Sequence, residues 1–378
     1  MGQDNKMNTS KTFSKKRKIC YVLPRYDSAD ATHFSHVHDF LRAVSGGIDI
    51  FLVIERGETP EKNIMVSRAR KISSSFFPLR LVETIILFLW ARISGCSVVY
   101  VHYSFFAAFL ASLIFRPLGG RVYYWNCGEP WKYKRSFLRG IFERLVYKMV
   151  TYHVTGARPL ARRYATEYNF SQSKSKILPN WIDLARFSVS LDKYSARKKL
   201  FLDSKYVVLF VHRLSPRKGA DLIVPTAKIV LKKEPGTIFI VIGDGPHKNE
   251  IEKEVLSDLD LKNHIKILGA IPNKEIPIYF RSADVFFMPS EEEGFPRVLL
   301  ESMALGTSFV ASDVGAVSGI VPEETKKYIV KDGTPEKYAS ALVEIIRGGA
   351  GQISSVFPKH IAQFDVHSVA HRFLEMVV

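Results

Sequence analysis

The chain has 378 residues, 47% hydrophobic and 24% charged, which is an ordinary globular composition with room for two domains of about 150–200 residues. Its three cysteines (Cys20, Cys96 and Cys127) are odd in number and widely spaced, which argues against a disulfide framework and against a cysteine metal site. The N-terminus is polar and basic without an apolar core segment, so we expect no secretory signal.

The net charge of +17 is unevenly distributed. Residues 1–190 contain 29 Lys and Arg against 13 Asp and Glu, a net +16, whereas residues 191–378 contain 25 against 24. We therefore expect the first half to meet an anionic partner. An anionic membrane surface is favoured over a merely solvated basic face. Nucleic acid is disfavoured, because the basic residues are dispersed and no zinc-finger or basic-zipper pattern accompanies them.

Strand and helix patterns alternate through the first half, after a polar segment, residues 1–14, that we expect to be disordered. Strands are predicted at 19–23, 48–54, 98–102, 121–125 and 152–155, and helices at 34–44, 79–93, 104–115 and after Arg158. Residues 55–72 have no clear pattern. The apolar run 98–115 approaches the length of a membrane span, but it begins like a strand, so we interpret its remainder as a buried or membrane-surface helix. The basic and aromatic loop 131–139 fits either a membrane interface or a cover over the core edge.

The alternation restarts after about residue 190. Strands are predicted at 207–211, 237–242, 265–268, 285–288 and 308–312, and helices after Ala220, at 249–258, at 275–282, after Pro296 and at 367–378. This order predicts an α/β protein with two doubly wound parallel sheets. We place the domains at 15–185 and 186–355, followed by a C-terminal segment, 356–378, that is expected to pack back on the first domain.

The stretch between Asp284 and Gly315 carries the clearest functional signal. A buried strand leads into an acidic loop, and Pro296 then suits the first position of a helix. A helix N-terminus favours a phosphate, since its N–H groups are free and its dipole end is positive. Glu293 and Glu301, eight residues apart, can accept hydrogen bonds from hydroxyls on either side of that phosphate. A nucleotide sugar fits such an arrangement.

The sequence EGFPRVLLESMALG, between FFMPS and FVASDVG, resembles the nucleotide-sugar site of family-4 glycosyltransferases with the GT-B fold. The segment HRLSPRKG is similar to that family's GRL-x3-KG segment. The resemblance covers residues 177–315 well and the first half loosely. It implies a metal-independent, retaining hexosyltransferase without cofactors, in which an acceptor-binding domain and a nucleotide-sugar-binding domain face each other across a cleft.

The resemblance also implies roles for individual residues. Arg213 and Lys218 would hold the donor diphosphate, and Glu293 would bind hydroxyls of the donor sugar; these three are the expected catalytic residues. Glu301 would bind the ribose. The remaining expected donor contacts are the backbone at Gly294, Phe295 and Pro296, and the base-flanking residues Gly269 and Ile271. No protein nucleophile is implied. The oxygen of the departing diphosphate would take the proton of the attacking hydroxyl.

The first half departs from the family pattern. It lacks the Gly-Gly pair of the first strand-to-helix loop, and the turn after residue 125 has no histidine. Asn126 is a candidate replacement, since its amide has two donors. His102 and His33 are the alternatives, although a histidine at a strand end is more often structural. The Glu of the family's GG-x-PE turn is also missing after Gly315.

These patterns predict transfer of a sugar from a nucleoside-diphosphate sugar to a hydroxyl of a lipid-linked or polysaccharide acceptor. The basic first half places this reaction at the cytoplasmic face of the membrane, with the protein bound peripherally. Two other classes stay open: a GT-B protein that binds a nucleotide sugar without turnover, and a nucleotide-cofactor oxidoreductase. The absence of a dinucleotide glycine fingerprint argues against the latter.

Overall fold

The computed structural model describes residues 16–26, 36–60, 66–187, 190–349 and 354–378. The segment expected to be disordered, residues 1–14, and the candidate His33 lie outside the described residues.

The first domain is built on a parallel sheet with strand order β3-β2-β1-β4-β5-β6-β7. Its strands are β1 Arg17–Leu23, β2 Ile48–Ile54, β3 Arg68–Lys71, β4 Val98–His102, β5 Arg121–Trp125, β6 Tyr152–Thr155 and β7 Ser175–Ile177. Its helices are α1 His36–Val44, α2 Phe77–Ile93, α3 Phe105–Phe115, α4 Phe137–Met149 and α5 Arg158–Tyr168. From β3 onward the chain crosses the sheet in one direction, opposite to that of the β1–β2 connection. Right-handed crossovers therefore place α2 to α5 on one face and α1 on the other.

The second domain is built on a parallel sheet with strand order β10-β9-β8-β11-β12-β13. Its strands are β8 Tyr206–Val211, β9 Thr237–Ile242, β10 Ile265–Gly269, β11 Val285–Met288, β12 Ser308–Ser312 and β13 Ile329–Val330. Its helices are α6 Lys193–Lys199, α7 Ile223–Lys233, α8 Lys248–Ser257, α9 Leu259–His264, α10 Ile276–Ser282, α11 Arg297–Ala304, α12 Val317–Ile320 and α13 Pro335–Glu344. The direction of winding changes between β8 and β11, which opens a crevice at their carboxyl ends where ligands of such sheets bind.

The central strands are apolar because both faces of each sheet are covered by helices. Every residue of β4 is buried, as is every residue of β11. The apolar run 98–115 divides into β4 and α3, as the sequence predicts. Among the described residues, no helix is both long enough and apolar enough to cross a membrane.

The end of the chain returns to the first domain through α14 Phe357–Ile361 and α15 Val366–Val377. The ring of Phe373 lies 5.2 Å from that of Phe40 on α1 and 4.9 Å from that of Tyr100 on β4. The hydroxyl of Tyr123 donates to the carbonyl of Met376 over 2.8 Å. The last helix is therefore part of the first domain's core.

Nine elements in the described ranges have no counterpart among those predicted from sequence: β3, β7, β13, α4, α6, α9, α12, α13 and α14. Strand β3 consists of Arg-Ala-Arg-Lys at the sheet edge and has no apolar alternation. Helix α4 starts among the basic residues read as a loop, with the Ser136 hydroxyl accepting from the N–H of Arg139. Helix α6 lies in a polar stretch. Pro296 is the N-cap of α11 in extended conformation and not, as predicted, its first helical residue.

Candidate active site

A cavity of about 550 Å³ opens between the two domains at the carboxyl ends of their strands. The first domain lines it with His102, Tyr103, Trp125, Cys127, Gly128 and Tyr133, the connecting segment with Asn180, and the second domain with His212, Arg217, Lys218 and residues 292–298. The described residues thus place two of the predicted catalytic side chains, Lys218 and Glu293, in one cavity.

Glu293 is the buried charge of this cavity. Its Oε1 accepts hydrogen bonds from Lys218 Nζ at 2.7 Å, His212 Nε2 at 3.0 Å and Ser290 Oγ at 2.9 Å. Burial raises the pKa of Glu293, but the hydrogen bond from His212 and the ammonium of Lys218 outweigh it and lower the pKa to about 2. Glu293 is therefore an ionised hydrogen-bond acceptor at neutral pH.

His212 was not predicted as a site residue, although it precedes Arg213 in the same motif. Its Nδ1 accepts the backbone N–H of Arg213 over 2.9 Å. The hydrogen on Nε2 is then free to point at Glu293, so the neighbouring backbone fixes the orientation of the imidazole. A histidine directly after a buried strand, in a turn that also supplies a lysine, is the signal that could have found it.

The sequence predicts that Arg213 and Lys218 hold the donor diphosphate together, but of the two only Lys218 lines the cavity. Arg213 is exposed and does not line the cavity. The turn that follows β8 directs Arg217 into the cavity instead, where its guanidinium donates to the Tyr133 hydroxyl over 2.5 Å. That hydroxyl donates in turn to Glu292 Oε1 over 2.7 Å, which links the two domains across the cavity mouth.

The backbones of the two domains are in close contact at Gly294. A Cβ at Gly294 would lie 1.9 Å from the carbonyl oxygen of Cys127 in the first domain. Asn180 Nδ2 donates to the carbonyl of Phe295 over 3.1 Å. Gly294, Phe295 and Pro296 all line the cavity, so the expected backbone contacts lie at the domain junction.

Glu301 does not line the cavity. It lies one turn inside α11, and burial raises its pKa while the nearby charges of Arg297 and Arg186 partly counter that rise. Arg186 itself pairs with Asp39 of α1 at 3.1 Å. Glu301, the predicted ribose ligand, thus lies near two arginines at the junction with the first domain.

Gly269 and Ile271 also lie outside the cavity lining. Gly269 is the last residue of β10 and Ile271 follows it, at the same sheet edge, two strands away from β8. The carbonyl of Gly269 accepts the N–H of Gly243 over 2.8 Å, and Gly243 packs against the carbonyl of His212. A continuous path along the strand ends joins His212 to Gly269.

Asn126 is not available as a sugar ligand in this structure. Its amide nitrogen donates to the hydroxyls of Tyr124 and Tyr147, and its Oδ1 accepts from the Gly128 N–H. It does not line the cavity. The amide instead fixes the turn, whose residues Cys127 and Gly128 form part of the cavity wall.

His102 does line the cavity. Its ring stacks on Trp125 at 4.5 Å, and Nε2 lies 3.0 Å from the Tyr21 hydroxyl. Burial lowers the pKa of His102 to about 3, so the ring is neutral. Its buried Nδ1 has no hydrogen-bond partner among the described residues, and the same holds for Oδ1 of Asn180. Buried polar atoms are normally satisfied, so two orphans at one cavity favour a polar ligand there.

The described part of the chain contains no group of three or more His, Cys, Asp or Glu side chains able to hold a metal ion.

The second domain matches a known family of proteins. Residues 192–352 match the family model "Glycosyl transferases group 1". The second domain is therefore similar to the group 1 glycosyl transferases over these residues. The matched residues contain the Lys218 turn, Glu293 and α11, so the cavity lies at the face of the matched domain that meets the first domain.

Curated relatives match over part of their length. The chain is 26% identical over 176 residues to an Escherichia coli UDP-Gal:alpha-D-GlcNAc-diphosphoundecaprenol alpha-1,3-galactosyltransferase, covering 46% of this chain and 45% of that protein. It is 25% identical over 208 residues to the amylovoran biosynthesis glycosyltransferase AmsK of Erwinia amylovora, covering 50% of this chain and 51% of that protein. The chain thus aligns with about half the length of these relatives.

The likeness in fold extends over the whole chain. A crystal structure of Anabaena Alr3699/HepE in complex with UDP superimposes with a TM-score of 0.77 at 15% identity, covering 95% of this chain and 99% of that one. Two parallel-sheet domains facing a cleft, with the C-terminal helix returned to the first domain, constitute the GT-B fold predicted from sequence.

Proposed function

We propose that this protein transfers a sugar from a nucleoside-diphosphate sugar to a hydroxyl of a lipid-linked or polysaccharide acceptor, with retention of the anomeric configuration. The observation that carries the proposal is the ionised Glu293, bound to Lys218 and His212 in a cavity between two domains, in a chain whose second domain matches the group 1 glycosyl transferases.

The diphosphate of the donor would lie against Lys218 and Arg217. Both cations line the cavity, and the start of α11 at Pro296 adds a helix N-terminus to the same wall. Preorganised cations at this position stabilise the charge that grows on the departing nucleoside diphosphate. The nucleoside would extend along the strand ends toward Gly269 and Ile271.

Glu293 would hold the donor sugar rather than attack it. Its Oε1 accepts three hydrogen bonds, and His212 and Lys218 lower its pKa to about 2 against the effect of burial, which stabilises the carboxylate and makes it a weak nucleophile. The bond from the anomeric carbon to the diphosphate breaks while the acceptor oxygen bonds to the same face. The departing phosphate oxygen takes the acceptor proton, so no protein base is required.

His102 Nδ1 and Asn180 Oδ1 would bind sugar hydroxyls. A hydroxyl both donates and accepts, so it can satisfy either orphaned atom. Arg213 and Glu301 would join the donor site only through a rearrangement of the cleft on donor binding. Such closure would also exclude water, which otherwise hydrolyses the donor.

The acceptor proposal rests on the relatives and on charge. One relative's name specifies a diphosphoundecaprenol acceptor and another's specifies amylovoran biosynthesis. The net +16 of residues 1–190 fits an anionic membrane surface. We place the protein peripherally at the cytoplasmic face and propose that the reaction needs no metal.

A thermal-shift screen against UDP, GDP, ADP, CMP and NAD tests donor binding. We expect UDP to stabilise the protein, because the structural neighbour binds UDP and one relative uses UDP-Gal. A ligand at 100 times its dissociation constant stabilises by about 2.7 kcal/mol. Lys218→Met should lose the shift. Stabilisation by NAD alone would overturn the proposal in favour of an oxidoreductase.

Turnover is tested by release of UDP from a UDP-sugar in the presence of bacterial lipid extract. NMR of the product decides between retention and inversion, and addition of EDTA decides the metal requirement. Donor binding with no consumption on any acceptor would favour the non-catalytic alternative.

A further inference from the structure

The outer surface of helices α2, α3 and α4 is apolar. On α2, Leu79, Val82, Ile86, Leu89 and Ile93 are all exposed, and Ile93 has 85% of its surface accessible. Their spacing of three and four residues places them on one stripe, opposite the buried Thr84, Phe88 and Ala91. A helix stripe that faces water in an α/β domain is normally polar, so we expect the apolar stripe of α2 to contact a partner or a membrane.

The two neighbouring helices continue this surface. On α4, Leu138, Ile141 and Leu145 are exposed at the same three-and-four spacing, and Phe137 is 81% exposed. Helix α3 lies between the other two: the rings of Phe77 and Phe106 are 5.3 Å apart, and those of Phe109 and Phe142 are also 5.3 Å apart. The stripes of α2 and α4 therefore join across α3 into one contiguous surface, which we call the three-helix face.

The charge around the three-helix face is positive. Residues 77–149 contain ten Lys and Arg against three Asp and Glu. Two of the three carboxylates, Glu129 and Glu143, are buried in ion pairs, and Glu83 accepts backbone N–H groups from the segment preceding α2. Arg116, Arg144 and Lys148 are exposed on or beside the helices. Exposed apolar side chains bordered by exposed cations match the interface of an anionic bilayer.

The three-helix face also reaches the cleft. Each of its helices follows the carboxyl end of a strand, so their N-termini lie at the edge of the sheet where the cavity opens. Phe137 begins α4 four residues after Tyr133, and Phe105 begins α3 two residues after Tyr103, both of which line the cavity. A membrane held on this face would present its lipid headgroups at the cavity mouth.

We propose that the three-helix face binds the surface of an anionic lipid bilayer and thereby delivers a membrane-borne acceptor to the cavity. The delivery step rests on the proposed glycosyl transfer, whereas the binding itself does not. Positive charge favours a bilayer over a second copy of this chain, because two such faces would repel each other.

Cosedimentation of the full-length protein with phosphatidylglycerol–phosphatidylcholine vesicles tests the proposal, with pure phosphatidylcholine vesicles beside it. We expect binding to the anionic vesicles, weakened by salt. Phe137→Ser/Leu138→Ser should weaken it at least tenfold. Arg144→Gln/Lys148→Gln should weaken it about fivefold per charge removed. The matched control is Leu256→Ser/Leu259→Ser, which removes two comparably exposed leucines from the second domain and should leave binding unchanged.

Three results would overturn the proposal: equal binding of wild type and face variants, equal loss in the Leu256/Leu259 control, or a wild-type dimer in size-exclusion chromatography that the face variants abolish. The last would assign the face to a second copy. UDP-induced thermal shifts are measured on the same variants. Face variants that still bind UDP but no longer bind vesicles would show that the face acts in membrane binding alone. A wild type that binds vesicles but shows no thermal shift with UDP would support the bilayer contact and contradict the transferase proposal.

Discussion

The ammonium of Lys218 lies 2.7 Å from Oε1 of Glu293, and both side chains are largely buried at the domain junction. The two residues come from different strand-to-helix turns, after β8 and after β11, which the winding of the sheet makes adjacent. The two charges neutralise each other. Lys218 also donates to the carbonyl of Glu292 over 3.3 Å, which leaves its third N–H to meet a phosphate without breaking the contact with Glu293.

Replacing Lys218 by Met should reduce kcat/KM by about 10²–10³-fold, the usual effect of removing one preorganised donor from developing negative charge. The matched comparison is Arg213→Met, which removes a cation from the same turn outside the cavity and should change activity little if Arg213 stays outside the donor site during turnover. Initial rates over a range of donor concentrations measure both variants. An equal loss in Arg213→Met would restore the role that the family resemblance implied for Arg213.

The Glu293 carboxylate should make stability depend on pH in the acid range. Its pKa is lowered from 4.5 to about 2 on folding, so the unfolded chain takes up the proton first as the pH falls. The contribution is complete above pH 4.5 and is lost as the pH falls toward 2; over this range it amounts to about 3 kcal/mol.

Urea unfolding of wild type and Glu293→Gln between pH 6 and pH 2.5 measures this effect. The difference in unfolding free energy between the two proteins should shrink as the pH falls, because the glutamine does not titrate. A difference that stays constant below pH 4.5 would mean that the carboxylate is not stabilised in the folded state.

Gly294→Ala should separate the domains without unfolding them. The new Cβ would lie 1.9 Å from the carbonyl oxygen of Cys127, and overpacking of this kind costs about 1–3 kcal/mol. We expect a large loss of kcat with a smaller loss of nucleotide affinity, since the proposed nucleotide contacts lie in the second domain. Gly140→Ala is the control, because nothing lies within 4 Å of its added Cβ. Full activity of Gly294→Ala would show that the contact with Cys127 does not form during turnover.

His102→Phe tests whether Nδ1 binds substrate. Phenylalanine keeps the stacking on Trp125 but removes both ring nitrogens. Tyr21→Phe is the matched control, because it breaks the same Tyr21–His102 hydrogen bond and leaves Nδ1 in place. His102→Phe leaves the Tyr21 hydroxyl without this partner, and Tyr21→Phe leaves His102 Nε2 without it, so each variant should lose about 1–3 kcal/mol of stability. Only His102→Phe should also raise KM; equal KM values in the two variants would assign His102 a structural role alone.

Much of the architecture follows from sequence. Buried parallel strands are continuous apolar runs, so β1, β2, β4, β8, β9, β11 and β12 could be placed from their residues alone, and alternation with helices predicts the two sheets. Several elements were missed. Strand β3 is charged because it lies at an edge, so it has no alternation of apolar residues. Helix α4 has apolar residues on its exposed side as well as on its buried side, so they do not mark a single core-facing stripe.

The sequence by itself determined the chemistry present at the second sheet's edge: an acidic loop, a lysine turn and a helix start that together resemble a nucleotide-sugar site. Only the tertiary structure decided which side chains converge. His212 and Arg217 line the cavity, whereas Arg213 does not. The amide of Asn126 is hydrogen-bonded to two tyrosine hydroxyls. His102 and Asn180, from distant parts of the chain, line the same cavity. The physical reason is that residue type and local spacing fix the strands and turns, whereas the direction of each side chain depends on hydrogen bonds and packing contributed by segments far away in sequence.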